Sequence, residues 1–217
     1  MMKTLNFEYD VVILAAGDFP TSVTAMRILR HAKHLIACDG AVEDLLEMEI
    51  EPEIIVGDGD SISQTTKEKY QHIFHTIAEQ EDNDLTKATK YALQHFNLTD
   101  GASFCYLGAT GKREDHTLGN IALLLHYYKH FKINPTMLTD YGWFTPSHGK
   151  TTFESFPKQQ VSVFQSNCKH IESQGLKWNL YSFKEFWQGT LNEATGYSFT
   201  IYSDSTYLVY QTHQPKE

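Results

Sequence analysis

Short apolar runs alternate with helix-like segments through the first 135 residues of this 217-residue chain, and this alternation constrains the fold most strongly. The predicted strands are the runs at 11–16, 35–38, 54–56, 73–77 and 103–107. The predicted helices lie at 22–33, at 42–48, around 67, at 84–96 and at 114–131. Wholly apolar strands joined by helices are typical of a mainly parallel sheet that helices cover on both faces. We therefore predict an α/β domain over residues 1–135.

The pattern changes after residue 135. Short segments rich in β-branched and aromatic residues follow at 151–153, 161–164, 198–202 and 207–210, with turn residues between them. Such segments favour strands that pair locally without intervening helices. We predict a second, all-β domain over residues 136–217, built like a sandwich.

Composition argues against several classes of partner. The net charge of -9 opposes binding to nucleic acid, because that affinity rests on clustered Lys and Arg. No stretch approaches the roughly 20 apolar residues that span a bilayer, and residues 1–10 lack the pattern of a signal peptide. We expect a cytoplasmic protein with no nucleic-acid or membrane partner. Because Cys38, Cys105 and Cys168 are odd in number and widely spaced, we expect them to be reduced and buried.

Polar groups follow four of the predicted strands, at 39–40, 57–61, 80–87 and 108–120. In open parallel sheets, ligands bind beyond the carboxyl ends of the strands, so these segments are candidates for a binding site. The sequence Gly-Asp-Gly-Asp-Ser at 57–61 sets two carboxylates between glycines, an arrangement that suits a hard cation such as Mg²⁺. A polar turn without a ligand is the alternative for this segment.

The later two segments carry groups suited to phosphate. Asp84 and Lys87 lie one turn apart on a predicted helix, where they offer a carboxylate for a metal and an ammonium for a phosphate, or simply a helix cap. The donor-rich loop that starts at 108 precedes a helix N-terminus, a position that favours anions, although its spacing is not that of a Walker A loop. A combined magnesium and polyphosphate site would draw on Asp39, Asp58, Asp60, Asp84, Lys87, Arg113 and Asp115.

These motifs, in this order, resemble the thiamin pyrophosphokinase family. The matching segments are Asp-Gly at 39–40, Gly-Asp-x-Asp-Ser at 57–61, the acidic segment at 80–87 and Gly-x-x-Gly-x-Arg-x-Asp-His at 108–116, with further similarity at 175–180 and 189–191. The resemblance implies transfer of the pyrophosphoryl group of ATP to the hydroxyl of thiamin, which gives thiamin diphosphate and AMP. It also implies a homodimer whose active site lies between the α/β domain of one subunit and the thiamin-binding β domain of its partner.

The resemblance assigns roles by position. It implies catalytic roles for Asp58, Asp60, Asp84, Arg113 and Asp115, and Mg²⁺ ligands at Asp58, Asp60 and Asp84. It places the nucleotide and its phosphates among Asp39, Gly40, Gln80, Thr86, Lys87, Arg113, His116 and Asn120. It places thiamin at Thr195 and Gly196, where the family often has Ser-Asn. Two further departures are Gly59, where Phe is usual, and Asn83, where Thr is common.

Two rival functions remain at this point. One is a magnesium-dependent pyrophosphokinase for another small alcohol, and the other is a nucleotide- or thiamin-binding sensor without turnover. Gly59 and Gly196 favour the sensor, whereas retention of the acidic groups argues against it. Trp178 is expected in the core of the β domain, and the pair His126 and His130 is expected on a solvated helix face rather than at a metal.

Overall fold

The computed structural model describes residues 2–165 and 168–216; residues 1 and 217, which end the two predicted domains, lie outside this range, as do 166–167. The helices are α1 (Val23–Arg30), α2 (Ala41–Glu47), α3 (Gln64–Tyr70), α4 (Asp84–His95) and α5 (Glu114–His126), with a π-helical turn at Tyr127–Phe131 and a 3₁₀ turn at Phe186–Gly189. The strands are β1 (Met2–Lys3), β2 (Val11–Leu14), β3 (Leu35–Cys38), β4 (Ile54–Gly57), β5 (Phe74–Thr76), β6 (Ser103–Leu107), β7 (Asn134–Leu138), β8 (Gly142–His148), β9 (Thr151–Glu154), β10 (Gln159–Gln165), β11 (Ile171–Gln174), β12 (Asn192–Glu193), β13 (Ser198–Ser203) and β14 (Thr206–Pro215). No helix within these described residues is long and apolar enough to cross a membrane.

Over the described residues, the strands pair into a ten-stranded sheet and a four-stranded sheet. The larger sheet has the order β12-β10-β14-β8-β7-β6-β2-β3-β4-β5. Its pairings from β5 through β4, β3, β2 and β6 to β7 are parallel, and those from β7 through β8, β14 and β10 to β12 are antiparallel. The predicted mixed α/β fold is confirmed. Strands β3 to β5 extend the sheet to one side of β2, and β6 and β7 extend it to the other side. The strand order therefore reverses direction between β2 and β6.

Helices cover both faces of the parallel strands. Successive side chains of a strand point to opposite faces, so a wholly apolar strand carries apolar side chains on both faces. Val12 and Leu14 of β2 belong to one apolar cluster, which includes residues of α1 and α2. Val11 and Ile13 belong to a second cluster, which includes residues of α4 and α5. Burial on both faces explains why β2 reads as a continuous apolar run.

The smaller sheet has the order β1-β9-β13-β11 and shares a third apolar cluster with β10 and β14 of the larger sheet. Phe153 of β9 stacks on Phe199 of β13, with ring centroids 5.1 Å apart. Strand β1 joins this sheet beside β9, a pairing that the sequence did not predict. The predicted domain boundary at residue 135 falls inside β7, and the division into two domains stays a prediction.

The expectations for Trp178 and for the cysteines can now be compared with the structure. Trp178 was expected in the core, but its side chain is 52% exposed and lies under the Lys177 ammonium, so that prediction is wrong. Cys38 and Cys105 are buried and free as expected, whereas Cys168 lies outside the strands beside Asp204 and is only half-buried, so the expectation of burial is wrong for it.

Candidate functional site

A cavity of about 460 Å³ lies beyond the carboxyl ends of the parallel strands, where the chain changes direction across the sheet. The predicted site residues that line it are Asp58, Gln80, Asp84, Lys87, Arg113, His116 and Asn120. Within the described residues, its wall does not include Asp39, Gly40, Asp60, Thr86, Asp115, Thr195 and Gly196. The loop after β2, with Ala15, Ala16 and Gly17, also lines the cavity and was missed by the sequence analysis. Gly17 directly follows the first apolar run, whereas Ala15 and Ala16 were predicted to belong to the strand, which ends at Leu14.

Asp39 lies behind the Asp58–Asp60 loop, not in front of it. Its side chain is 5% exposed, its Oδ1 accepts from the backbone N–H of Gly59 at 2.9 Å, and its Oδ2 accepts from that of Ser61 at 3.1 Å. A Cβ on Gly57 would come within 2.7 Å of the Asp39 Cβ, so glycine permits this close approach. The carboxylate predicted to face the nucleotide therefore holds the shape of the loop in this structure.

The loop itself presents its two carboxylates differently. Asp58 lines the cavity, and its Oδ1 accepts from the backbone N–H of Asp60 at 3.1 Å. The side chain of Asp60 is exposed outside the described cavity wall. Gly59 between them has φ of 83°, a backbone conformation that glycine adopts without strain.

The first turn of α4 brings a carboxylate and an ammonium to the cavity. Lys87 is 4% exposed, and its Nζ lies 3.5 Å from Oδ1 of Asp84. Burial raises the pKa of Asp84, and the carboxylates of Asp39 and Asp58 raise it further against the opposing effect of Lys87. Negative charge therefore accumulates on this side of the cavity.

The described residues fit a magnesium ion that is shared with a polyphosphate. They contain no group of three His, Cys, Asp or Glu side chains arranged to hold a metal by themselves. Two carboxylates, Asp58 and Asp84, nevertheless line one cavity, and Mg²⁺ in nucleotide sites commonly takes one or two protein carboxylates together with phosphate oxygens and water. Binding of Mg²⁺, with Asp58, Asp60 and Asp84 as its ligands, stays a prediction.

Hydrogen bonds join the loop after β6 to the loop after β2 on the opposite side of the cavity. The N–H of Asp18 donates to the carbonyl of Thr110 at 2.8 Å, and Nζ of Lys112 donates to the carbonyl of Ala16 at 2.9 Å. Lys112 is one of the two cations in the loop after β6, which was predicted to bind phosphate. Its hydrogen bond holds the two loops together.

The second cation of that loop, Arg113, is exposed and reaches Asp115 with two nitrogens. Its Nε donates to Oδ1 at 3.1 Å and its Nη2 to Oδ2 at 2.6 Å. This pair of hydrogen bonds lowers the pKa of Asp115. A phosphate that approaches Arg113 would compete with the carboxylate of Asp115 for the same donors.

The predicted thiamin residues lie between β12 and β13. The hydroxyl of Thr195 donates to the carbonyl of Gly175 at 3.0 Å, and the carbonyl of Gly196 accepts from the Ser155 hydroxyl at 2.8 Å. Their role toward thiamin stays a prediction.

Two family models match the chain. The family model "Thiamin pyrophosphokinase, catalytic domain" matches residues 25–136, and "Thiamin pyrophosphokinase, substrate-binding domain" matches residues 142–210. Thiamine pyrophosphokinase 3 of Oryza sativa subsp. japonica is 31% identical over 91 residues, a match that spans 39% of this chain and only 34% of the rice protein.

Solved structures share the fold. The thiamine pyrophosphokinase of Bacillus subtilis superposes with a TM-score of 0.76 at 22% identity, over 97% of this chain and 99% of that one. The yeast thiamin pyrophosphokinase gives a TM-score of 0.80 at 16% identity, over 97% of this chain and 90% of that one. These TM-scores establish likeness of fold. Because the catalytic-domain model alone matches more than half of the 217 residues, this chain belongs to the thiamin pyrophosphokinase family.

Proposed function

We propose that this chain transfers the pyrophosphoryl group of ATP to the hydroxyl of thiamin, producing thiamin diphosphate and AMP. The observation that carries the proposal is the single cavity wall that contains Asp58, Asp84, Lys87 and Arg113. Two carboxylates and two cations around one space at the strand ends are the groups that a bound metal–polyphosphate requires. Family membership supplies the acceptor, thiamin.

In the proposed reaction the thiamin hydroxyl oxygen attacks the β-phosphorus of ATP, and the bond from that phosphorus to the α-phosphate oxygen breaks. AMP leaves with the electron pair of that bond, and the hydroxyl proton is released. Bound Mg²⁺, held by Asp58 and Asp84 with Asp60 as a further ligand, would neutralise charge on the phosphate oxygens. Lys87 and Arg113 bind the same oxygens, with Gln80 and His116 along the wall as further nucleotide contacts.

Positioning carries most of the proposed catalysis, since these residues offer little covalent chemistry. Lys87 reaches the cavity from a buried stem, and its pairing with Asp84 orients its ammonium. Arg113 is more exposed and exchanges Asp115 for phosphate, so Asp115 orients the guanidinium before phosphate binds.

We further propose a homodimer, with residues 1–135 forming the catalytic α/β domain and residues 136–217 the thiamin-binding β domain, including Thr195 and Gly196. An exposed apolar surface supports this arrangement. Among its members, Phe186 and Trp187 are each 69% exposed and Leu191 is 75% exposed. Exposed apolar side chains of this size are typical of an interaction surface, and a second copy of this chain fits that role.

The activity is tested by incubating the purified protein with thiamin, ATP and magnesium and measuring AMP and thiamin diphosphate by chromatography. We expect equal amounts of both products, and neither in a magnesium-free control. Asp58→Asn should abolish turnover while leaving thermal unfolding close to wild type. AMP without thiamin diphosphate would contradict thiamin as the acceptor, and the absence of both products would contradict the activity in favour of a sensor.

A further inference from the structure

A chain of side-chain hydrogen bonds crosses from α4 to α5 and ends on the loop after β6. Oδ1 of Asn83 accepts from the backbone N–H of Thr86 at 3.0 Å and from the Thr86 hydroxyl at 2.9 Å. Nδ2 of Asn83 donates to Oδ1 of Asn120 at 2.9 Å, and Nδ2 of Asn120 donates to the carbonyl of Ala109 at 2.8 Å. Four residues from three elements are thereby connected.

Backbone groups at both ends fix the direction of every bond in this chain. The N–H of Thr86 can only donate, so the atom of Asn83 that faces it must be the oxygen, and the nitrogen must face Asn120. The carbonyl of Ala109 can only accept, so the nitrogen of Asn120 must face it. The hydroxyl of Thr86 gives its hydrogen to Asn83, and Tyr127 must therefore donate to Thr86 across their 2.7 Å contact.

The hydrogen bonds connect α4 with α5 and its π-helical extension at two points. Asn120 and Tyr127 are seven residues apart, about two helical turns, so both project from the same side of the helix toward α4. Asn120 contacts Asn83, the N-cap of α4, and Tyr127 contacts Thr86 one turn later. The N-terminal turn of α4 is held at both ends of that turn.

This contact joins the two halves of the candidate site. Asp84 and Lys87 lie on the turn of α4 that Asn83 caps, whereas Ala109 belongs to the loop that leads to Arg113. The polar atoms of Thr86 and Asn120, expected from the resemblance to contact nucleotide, are engaged with protein groups. Thr86 is moreover buried outside the described cavity wall.

We propose that Asn83 and Asn120 form a positioning clamp that sets the separation between the carboxylate half of the site and the phosphate loop. Thr86 holds the side chain of Asn83, and Asn120 connects it to the loop after β6. Neither Thr86 nor Asn120 therefore acts mainly as a ligand of the nucleotide. The inference rests on the proposed pyrophosphoryl transfer for its kinetic consequences. Displacement of about 1 Å between reacting groups can cost a hundredfold in rate, so the separation matters more to kcat than to binding.

The clamp needs the amide nitrogen of Asn83, whereas the cap of α4 needs only an acceptor oxygen at this position. Serine or threonine at 83 would still cap α4, because a hydroxyl oxygen accepts from the N–H three residues on. Neither carries an amide that can donate to Asn120. Asn83→Ser therefore removes the bridge while it keeps the cap.

The test compares Asn83→Ser, Asn120→Ser and the double variant in steady-state kinetics. We expect each single variant to lose about 10-fold or more in kcat, with the KM for ATP changed less than about 2-fold. The double variant should lose little more than either single one, because both remove the same bridge. Asn134→Ser is the matched control: its Nδ2 donates to the carbonyl of Gly101 at 2.7 Å at the amino ends of β6 and β7, and we expect its kcat to equal wild type.

Other outcomes overturn the clamp. If Asn120→Ser raises the KM for ATP more than about 10-fold with kcat unchanged, and Asn83→Ser behaves as wild type, Asn120 is a direct nucleotide ligand. Independent, multiplicative losses in the double variant would show that the two amides do not act together. If the wild-type protein has no turnover, the proposed function fails, but the clamp is still measured by the same cycle in thermal unfolding. Additive changes in stability would then refute it.

Discussion

Asp39→Asn separates a loop-holding role from a nucleotide-binding role. In the wild type, both carboxylate oxygens accept from backbone N–H groups, those of Gly59 and Ser61, in a buried position. The variant keeps one acceptor oxygen and turns an amide nitrogen toward the other N–H, which loses a charge-assisted hydrogen bond of about 1.5–3 kcal/mol. Loss of a negative charge beside Asp84 offsets part of this cost, because the Asp39 carboxylate contributes to the raised pKa of Asp84.

We expect a net destabilisation of about 2 kcal/mol, which corresponds to a melting temperature roughly 4–8 °C lower for a protein of this size. Thermal unfolding by circular dichroism measures this, and kcat should fall because the Asp58 loop loses its support. Asp10→Asn is the control: its Oδ2 accepts from the N–H and hydroxyl of Ser103 at 2.9 Å each, before the first strand of the parallel sheet. It should cost stability without loss of kcat. An Asp39→Asn protein with wild-type stability and a raised KM for ATP would refute the reasoning.

Three other substitutions test the site and the surface. Gly59→Ala forces a Cβ into φ of 83° and to within 3.1 Å of neighbouring side chains, so we expect a loss of about 1–2 kcal/mol in denaturant unfolding. Lys87→Met fills the same buried space without a charge, so we expect circular dichroism to show a folded protein. Product assays should show turnover lower by about 10²–10³-fold, and a loss below twofold would contradict the role of Lys87. Trp187→Ser with Leu191→Ser should weaken self-association at least tenfold by sedimentation, whereas Val23→Ser, at an even more exposed position on α1, should leave it unchanged.

The sequence was sufficient to predict the elements that build the cavity. Buried parallel strands consist of apolar runs, so β3 and β6 were predicted at their observed bounds and β2 was predicted two residues too long at its end. The loops that follow such strands converge at one edge, and this placed Asp58, Asp84 and Arg113 together before any contact was known. These predictions rest on periodicity and topology, which the chain encodes locally.

The sequence was not sufficient to predict what each side chain contacts. Asp39 follows a strand as Asp58 follows the next, yet one lies behind the loop and the other lines the cavity. That difference depends on a positive φ of 42° at Asp39 and on the missing Cβ of Gly57, which become meaningful only when two strands are paired. Strand β1 escaped prediction for a similar reason, since its two residues form a strand only against β9. Trp178 was placed in the core on composition, although its neighbour Lys177 covers it at the surface.

The motifs that this chain shares with its family thus contain residues of two physical kinds. Asp58, Asp84 and Lys87 turn polar atoms toward the cavity, where a substrate can exchange places with water. Asp39, Thr86 and Asn120 give polar atoms to protein partners, and each of these bonds links two segments of chain that are distant in sequence. Loss of a residue of the first kind should lower activity at constant stability, because its partner is the substrate. Loss of a residue of the second kind should lower both together, because the bond that fixes the loop also stabilises the fold. Measuring stability beside activity for every variant therefore sorts the motif by mechanism, which sequence similarity alone does not do.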